Sequence, residues 1–522
     1  MSKTFRDMPN NTADSWWKDP SLRKNIAAAV VCYFGTFALG YDGSYLGGLQ
    51  SLASWNAYFD NPAGNRLGII SASSYLPTLV LLPFYSLACD YFGRKPAAIV
   101  GTIGLVGGAI LGALATNEGM LIAGRAIVGV FGSLIALSTN LLCNEILHPR
   151  LRSVGAAFFL VFFYAGSIVS AWVTYGVVAA DWQDDWGWRL PTLLQALGPI
   201  VVGIGALFVV PESPRFLVAK GRREQAHQVL ADHHANGDKD DALVLHELEE
   251  IEDALASEKR EKTGFRSFLK TKGNRHRLLI VLTTGTGSQA NGVAVFSYYL
   301  VPALRIAGVT AALDQVGINA GLAIFNLGLA IVGAALVERV GRRPLWLIST
   351  AGMLCSYIVL IAVSATFASN SVKSYGLCSV AFMFICYGFY DIAWTPLAFS
   401  YTTEILPYSM RASGMALFVW MQNASLCLNQ WINPIGLEAV AWKYYFVFLC
   451  TLIMYLVLIW FLFVETKGLA LEEIALLFDH NKATTLAEKK EAVDAQLKMS
   501  NKQVRADMAH IEDKDVKDVE SV

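Results

Sequence analysis

The chain has 522 residues, of which 54% are hydrophobic and only 16% are charged, and its mean hydropathy is +0.44. A water-soluble protein of this length needs a larger polar surface, so this composition excludes an ordinary soluble enzyme. The 41 basic and 42 acidic residues leave a net charge of −1. We therefore expect the lipid bilayer, and no nucleic acid, among the partners of the chain.

The apolar residues come in long runs, each close to the roughly 20 residues that a bilayer-spanning helix needs. Because hydrocarbon offers the backbone no hydrogen bonds, runs of this length predict helices and exclude a barrel. The sequence thus predicts an all-α membrane protein with twelve transmembrane helices. The predicted helices begin near Ile26, Leu67, Ala97, Met120, Val154, Leu190, Leu278, Val316, Leu345, Tyr375, Ala412 and Trp442.

Lysine and arginine are concentrated on one side of the predicted membrane. If the N-terminus is cytoplasmic, most of them lie in cytoplasmic loops, and the outer side keeps only five. Positive charge marks the cytoplasmic side, so we expect a multi-pass protein of the plasma membrane with both termini in the cytoplasm. The five outer residues are Arg66, Arg189, Arg305, Lys373 and Lys443.

A long polar insert separates two predicted groups of six helices. It is charged and helix-prone, so we expect cytoplasmic amphipathic helices that link two six-helix bundles. The expected organisation is a cytoplasmic N-terminal segment, an N-terminal bundle, a helical linker, a C-terminal bundle and a cytoplasmic tail, at residues 1–25, 26–211, 212–276, 277–464 and 465–522.

Three short motifs occur once in each half, roughly 250 residues apart and always at the cytoplasmic ends of predicted helices. This repetition predicts two pseudo-symmetric bundles that rock about a central site, the architecture of alternating access. The pairs are 90–95 with 338–343, Glu145 and Arg152 with Glu404 and Arg411, and 211–215 with 464–468.

The acidic residues of these motifs stand beside bases at positions where topology requires only positive charge. We therefore predict ion pairs that latch the cytoplasmic side shut and break in each cycle, since exposed pairs contribute only about 0–1 kcal/mol each. The alternative is that the bases are simple positive-inside anchors. The candidate gating residues are Asp90, Arg94, Glu145, Arg152, Glu212, Arg215, Glu338, Arg342, Glu404 and Arg411.

With these motifs, the sequence resembles the sugar porter family of the major facilitator superfamily over nearly its whole length, from about Ile26 to Glu473. Gly124-Arg125, PESPR at 211–215 and VETKG at 464–468 carry this resemblance together with the duplicated loops. Val464, the SYYL run from Ser297 and Asn429-Gln430 resemble the fungal lactose-permease and cellodextrin-transporter branch. The resemblance implies the major facilitator fold and uptake of a sugar, commonly a disaccharide, with a proton.

Several polar positions depart from the family pattern. Leu160 stands where the family usually has a glutamine, Ala294 replaces an asparagine, and Phe399 replaces a tryptophan. The resemblance therefore implies the transport mode without implying which sugar is carried.

Three ionisable residues fall inside predicted helices: Asp42, Arg125 and Asp391. A charge at the bilayer centre costs about 2.5–3.5 kcal/mol on insertion scales, so such residues are normally functional or paired. Asp42 and Arg125 lie at a similar depth below the outer surface, so they can meet. If Arg125 moved away, burial would favour the protonated form of Asp42, as a symporter requires. A static structural ion pair is the alternative. Asp391 is a candidate contact for a sugar hydroxyl, a candidate part of an inner gate, or a buried acid satisfied by a neighbouring helix.

Amide side chains in the second half are candidate sugar contacts, because an amide offers both a donor and an acceptor to hydroxyl groups. We favour contact over interhelical packing for Gln289, and both roles stay open for the others. The resemblance adds Tyr298 and Tyr299 as an outer-gate pair. The remaining candidates are Asn291, Asn326, Asn423 and Asn429.

The sequence contains no metal-spaced Cys/His cluster, nucleotide loop or nucleophile elbow, and its eight cysteines suggest no disulfide framework. We expect a non-enzymatic, monomeric transporter without a cofactor, whose partners are a sugar and a proton. The alternatives are a carrier of a non-sugar solute, such as a polyol, quinate or a fungal metabolite, and a transporter-like nutrient sensor.

Overall fold

The computed structural model of the chain describes residues 11–13, 15–260, 265–469, 474 and 477–478. Twelve membrane-length segments, here called spans 1 to 12, dominate these residues. Spans 1 to 6 are Pro20–Leu49, Gly64–Ala72 with Tyr75–Phe92, Arg94–Ala113, Glu118–Ile146, Arg152–Ala179, and Trp186–Leu194 with Leu197–Phe208. Spans 7 to 12 are Lys272–Ala290 with Val293–Tyr298 and Leu300–Ile306, Ala312–Val340, Arg342–Asn370, Lys373–Ile405, Tyr408–Val440, and Tyr445–Leu462.

Eleven of the spans begin up to two turns before the apolar runs that predicted them, because their first turns are polar. Asp19 caps span 1, where its Oδ1 accepts from the Leu22 amide at 2.9 Å. Asn117 caps span 4 in the same way through the Met120 amide. Span 12 begins later than predicted, because residues Ala441–Tyr444 form a 3₁₀ turn.

Length and apolarity alone mark only ten of the described stretches as candidate membrane spans. Two features of the sequence account for the difference. One stretch, Met410–Leu462, contains both span 11 and span 12. Span 7 is absent from the ten because it is broken into short pieces and its first piece ends in the polar run TTGTGSQ.

The break in span 7 is built around one glycine. Gly292 has a φ of +95°, and its carbonyl accepts a hydrogen bond from the Tyr357 hydroxyl at 3.0 Å. A Cβ at this position would collide with that hydroxyl, so only glycine fits. The Asn291 side chain closes the turn by accepting from the Val293 amide at 3.2 Å. Span 7 is thus divided by a defined break at Gly292.

We call the side on which span 1 begins and spans 6 and 12 end the linker face, and the opposite side the distal face. The two halves touch directly at the distal face. Gln50 donates to the carbonyl of Tyr298 at 2.9 Å, and Arg305 donates to the carbonyl of Gln50 at 3.2 Å. Trp431 donates to the Asn65 side chain at 2.9 Å. These contacts close the distal face.

One acidic residue in each half caps a neighbouring span at the linker face. Glu212 accepts from the backbone amides of Arg94 and Lys95, at 3.2 and 3.3 Å. Glu465 accepts from the amides of Arg342 and Arg343 in the other half, each at 3.0 Å. A carboxylate at a helix N-terminus satisfies free amides and the helix dipole together, so the repeated motifs have the same structural role in both halves.

The segment between the halves forms helices Pro214–Ala219, Arg223–His234, Ala242–Arg260 and Ser267–Lys270. The first three pack on one another through apolar residues such as Leu230 and Val244. The packed helices contact the N-terminal half through His234, whose Nε2 lies 3.0 Å from the carbonyl of Ile146. His234 Nδ1 lies 2.5 Å from the Glu247 carboxylate, and both side chains are buried.

We expect Gly341→Ala to destabilise the cap in the second half. Gly341 has a φ of +105° and a ψ of 163°, a conformation essentially restricted to glycine, and an added Cβ would lie 3.0 Å from the Glu465 carboxylate. Such strain costs about 1–3 kcal/mol. The melting temperature of purified protein should fall. Gly321→Ala is the control, because no atom lies within 4 Å of its added Cβ; equal melting temperatures for the two variants would contradict the cap.

We also expect His234→Gln to loosen the linker helices. Burial acts to lower the pKa of His234, but the Glu247 carboxylate outweighs it and raises the pKa above its usual value. The His234–Glu247 contribution is therefore complete at low pH and is lost as pH rises through that raised pKa. Hydrogen exchange in Ala242–Arg260 should be faster in the variant at pH 6. His227→Gln, in the same helix, should leave exchange unchanged, and unchanged exchange in both would refute this role.

Candidate functional site

Asp42 of span 1 and Arg125 of span 4 meet within the N-terminal half. Arg125 Nη1 lies 3.6 Å from Asp42 Oδ1, and both side chains are largely buried. This distance is too long for a hydrogen bond, and neither atom has another hydrogen-bond partner among the described residues. The two residues, which were predicted to lie at a similar depth, thus form a loose ion pair that is too long for a hydrogen bond.

Arg125 also connects this pair to a break in span 2. Its Nε donates to the carbonyl of Ile70 at 3.0 Å, in the last turn before the break at residues 73–74. Tyr75 follows directly after the break, and its phenol interacts with that of Tyr298 in the other half. Both phenols also interact electrostatically with Asp42. The ion pair therefore lies beside a contact between the two halves.

Asp391 of span 10 is completely buried and accepts three hydrogen bonds. Tyr164 and Thr395 each donate a hydroxyl to Oδ1 at 2.9 Å. With its amide nitrogen turned toward the carboxylate, Asn326 donates to Oδ2 at 3.2 Å. Tyr164, Asn326 and Asp391 stand twelve to fourteen positions from the linker-face ends of spans 5, 8 and 10, which places the cluster near the middle of the membrane.

Sequence reasoning missed Tyr164. It lies in the apolar run FFLVFFYAG, where its hydroxyl has no periodic pattern to mark it. The available signal was its position one helical turn after Leu160, which stands in place of the family's usual glutamine.

The aromatic residue Phe399, at the position of the usual tryptophan, packs edge-on against Phe418 at 4.9 Å between ring centres.

The predicted amides divide into two groups. Asn429 donates to the carbonyl of Gln289 at 3.0 Å, so it joins spans 7 and 11, and Asn423 donates to Val419 within its own span. Asn291 is buried and closes the break in span 7, but its amide nitrogen has no partner among the described residues. The side chain of Gln289 is half-buried. Asn291 therefore keeps an amide nitrogen without a partner among the described residues, whereas Asn423 and Asn429 are occupied in interhelical or local bonds.

The predicted outer-gate tyrosines have different surroundings. Tyr298 is half-buried, and its carbonyl contacts Gln50 in the other half. Tyr299 is fully buried, and its hydroxyl donates to Gln430 at 3.0 Å within the C-terminal half. The Tyr299 hydroxyl also interacts with Ser71 of the N-terminal half, so both tyrosines lie where the halves meet.

The candidate gating residues form ion pairs inside each half at the linker face. Arg94 Nε lies 3.2 Å from Glu145, and Arg94 also pairs with Asp90 at 3.1 Å. In the other half, Arg342 pairs with Glu404 at 3.0 Å. These pairs join spans 2, 3 and 4, or spans 9 and 10, so they brace each half in this conformation.

The remaining gating residues have other environments. Arg152 lies 3.7 Å from the linker residue Glu247 and is half-exposed. Arg215 and Arg411 lie in the first turns of the helices Pro214–Ala219 and Tyr408–Val440. The side chain of Glu338 lies outside the described residues. Among the described residues, no group of His, Cys, Asp and Glu has the arrangement of a metal site.

The chain is similar in sequence to several fungal transporters. It is 29% identical over 424 residues to the MFS-type transporter oryC of Aspergillus oryzae, covering 77% of this chain and 75% of that protein. It is 28% identical over 491 residues to the high-affinity glucose transporter of Kluyveromyces lactis, covering 87% of this chain and 85% of that one. The finer likeness to lactose permeases and cellodextrin transporters stays a prediction.

The fold is similar to that of a solved bacterial transporter. The inward-open structure of the xylose transporter XylE from E. coli superposes with a TM-score of 0.72 at 19% identity, over 87% of this chain and 99% of that one. The twelve-helix fold predicted from the sequence is thus confirmed. The family model described as sugar (and other) transporter matches residues 28–478. The chain therefore belongs to the sugar (and other) transporter family and is a multi-pass membrane protein.

Proposed function

We propose that this protein imports a sugar together with a proton by alternating access. The observation that carries the proposal is the loose Asp42–Arg125 pair within the membrane spans. The relatives include a protein named as a glucose transporter, and the structural neighbours include one titled as a proton:xylose symporter. A disaccharide or a hexose is the expected substrate.

The proton site follows from the geometry of this pair. Asp42 lies beside the Arg125 cation, but the 3.6 Å separation leaves the carboxylate atom without a hydrogen bond among the described residues. A buried carboxylate that loses its cation is more stable as the neutral acid. Displacement of Arg125 and protonation of Asp42 therefore favour each other, which is the requirement for proton coupling.

A chain of contacts leads from the proton site to the other half. If Arg125 shifts, the Ile70 carbonyl next to the break in span 2 loses the hydrogen bond from Arg125 and keeps the one from the Ser73 hydroxyl. Tyr75 follows that break and touches Tyr298 across the interface. Protonation can thus alter the contact that closes the distal face, because a ligand shifts an equilibrium only through differential interactions with its two states.

The sugar site is assigned to the polar groups of the C-terminal half. Gln289 and Asn291 offer amide atoms, and Asp391 offers a carboxylate with Asn326 beside it. Amides and carboxylates hydrogen-bond sugar hydroxyls, whereas the apolar walls around them exclude water. We assign the duplicated charge pairs at the linker face to the inner gate, with Arg94–Glu145 and Arg342–Glu404 as its bracing elements.

The linker face is assigned to the cytoplasm of the plasma membrane, with both termini on that side. The assignment rests on the basic residues of its loops. The closed distal face then makes this conformation inward-facing. A single chain supplies both halves and both candidate sites, so a monomer in the lipid bilayer is the proposed functional unit.

Uptake by a yeast strain without hexose transporters tests the proposal. Radiolabelled D-glucose, D-xylose, lactose and cellobiose serve as probes. Accumulation of one of them above the outside concentration, abolished by a protonophore, is the expected result. Uptake of none of the four sugars would reject sugar transport. Accumulation that persists in the presence of the protonophore would reject proton coupling.

Asp42→Asn should remove energy coupling while leaving the carrier folded. The amide cannot take up a proton, so the ratio of inside to outside sugar concentration should fall to about 1. This is the equilibrium value, because only a carrier coupled to an ion gradient can hold the ratio above it. Exchange of labelled for unlabelled sugar should persist. Asp314→Asn is the control, since Asp314 is an exposed carboxylate at the start of span 8. Protonophore-sensitive accumulation by Asp42→Asn would disprove its proton role.

A further inference from the structure

The hydrogen bond from Tyr164 to Asp391 joins the two halves in the middle of the membrane. Tyr164 belongs to span 5 in the N-terminal half, and Asp391 belongs to span 10 in the C-terminal half. The other two donors to the carboxylate come from its own half: Thr395 is one helical turn away, and Asn326 is in span 8. Among the described donors, Tyr164 is thus the one that must move relative to Asp391 when the halves separate.

Access to Asp391 depends on this movement. The carboxylate is fully buried, and Tyr164 is itself 6% exposed. A carboxylate has about four acceptor positions, and three described donors fill most of them. Because the carboxylate is fully buried, a substrate hydroxyl can reach it only when one of these donors moves away, and Thr395 and Asn326 are held beside it by their own half.

We propose that the Tyr164 hydroxyl is a built-in surrogate for a substrate hydroxyl on Asp391. In the empty carrier it satisfies the buried carboxylate, and in the loaded carrier a hydroxyl of the substrate replaces it. Tyr164 is therefore a positioning residue that serves the return of the empty carrier. This inference rests on the proposed function, and it adds the N-terminal half to a site whose other polar groups lie in the C-terminal half.

The surrogate has opposite effects on the two directions of the cycle. Binding of substrate must break the Tyr164–Asp391 bond, so the hydroxyl competes with the substrate. The empty carrier, in contrast, must close around Asp391 with no substrate present, and a buried carboxylate that loses one of its three described donors is less stable. Removing the hydroxyl therefore strengthens substrate binding and slows the return step.

The test compares net uptake with exchange in liposomes containing Tyr164→Phe, with the best-transported of the four labelled sugars as the probe. Net uptake requires the empty carrier to return, whereas exchange into vesicles preloaded with the same unlabelled sugar does not. We expect exchange to be retained, the half-saturation concentration to fall several-fold, and net uptake to slow about tenfold, equivalent to about 1.4 kcal/mol. Retained exchange also demonstrates that the variant is folded.

Tyr390→Phe is the matched control. Its hydroxyl donates to the Ser288 carbonyl at 3.1 Å within the C-terminal half. This hydrogen bond does not join the two halves, so substrate binding does not have to break it. Its net uptake and exchange should change in equal proportion. Parallel loss of both activities in Tyr164→Phe, or a higher half-saturation concentration, would reduce Tyr164 to a structural residue and overturn the inference. Transport of none of the four sugars by the unaltered protein would overturn the proposed function as well.

Discussion

The structure depends on one constraint: a charged group inside the membrane needs a partner close enough to replace water. Asp42 satisfies it with Arg125 at 3.6 Å, and Asp391 satisfies it with three neutral donors. The ion pair of Asp42 is weak, and it depends on where the Arg125 cation lies. The hydrogen bonding of Asp391 is nearly complete, and it depends on where the Tyr164 hydroxyl lies. Each therefore responds to a different movement of the surrounding helices.

The two halves consequently carry different polar groups within the membrane, although their motifs are duplicated. At the linker face they are near-copies, since Glu212 and Glu465 cap equivalent spans with equivalent hydrogen bonds. Within the membrane they differ. The ion pair lies in the N-terminal half, whereas the Asn326–Asp391 pair and the glycine break of span 7 lie in the C-terminal half. Duplication has thus preserved the linker-face contacts between the spans of each half, whereas the polar groups within the membrane differ between the halves.

Much of the fold could be predicted because its signals are local in sequence. Twelve apolar runs and three repeated motifs were sufficient to give the spans and their pairing. Asp42 and Arg125 were predictable as a pair because depth follows from position along a straight helix. The bond between Tyr164 and Asp391 was not, since the rotation of span 5 about its axis is set by packing that the sequence does not record locally. The partner of Arg152 was also not predictable, because Glu247 approaches it only when the linker helices fold.

One of the contacts that close the distal face is made to the main chain at residue 298. Gln50 donates to the carbonyl of Tyr298 and not to its phenol. A carbonyl is present whatever side chain occupies the position, so replacement of the tyrosine leaves this acceptor in place. The side chain at position 298 is thereby free to diverge while the same acceptor remains available for closure. Such an arrangement lets a carrier acquire a new substrate during evolution without first becoming a leak.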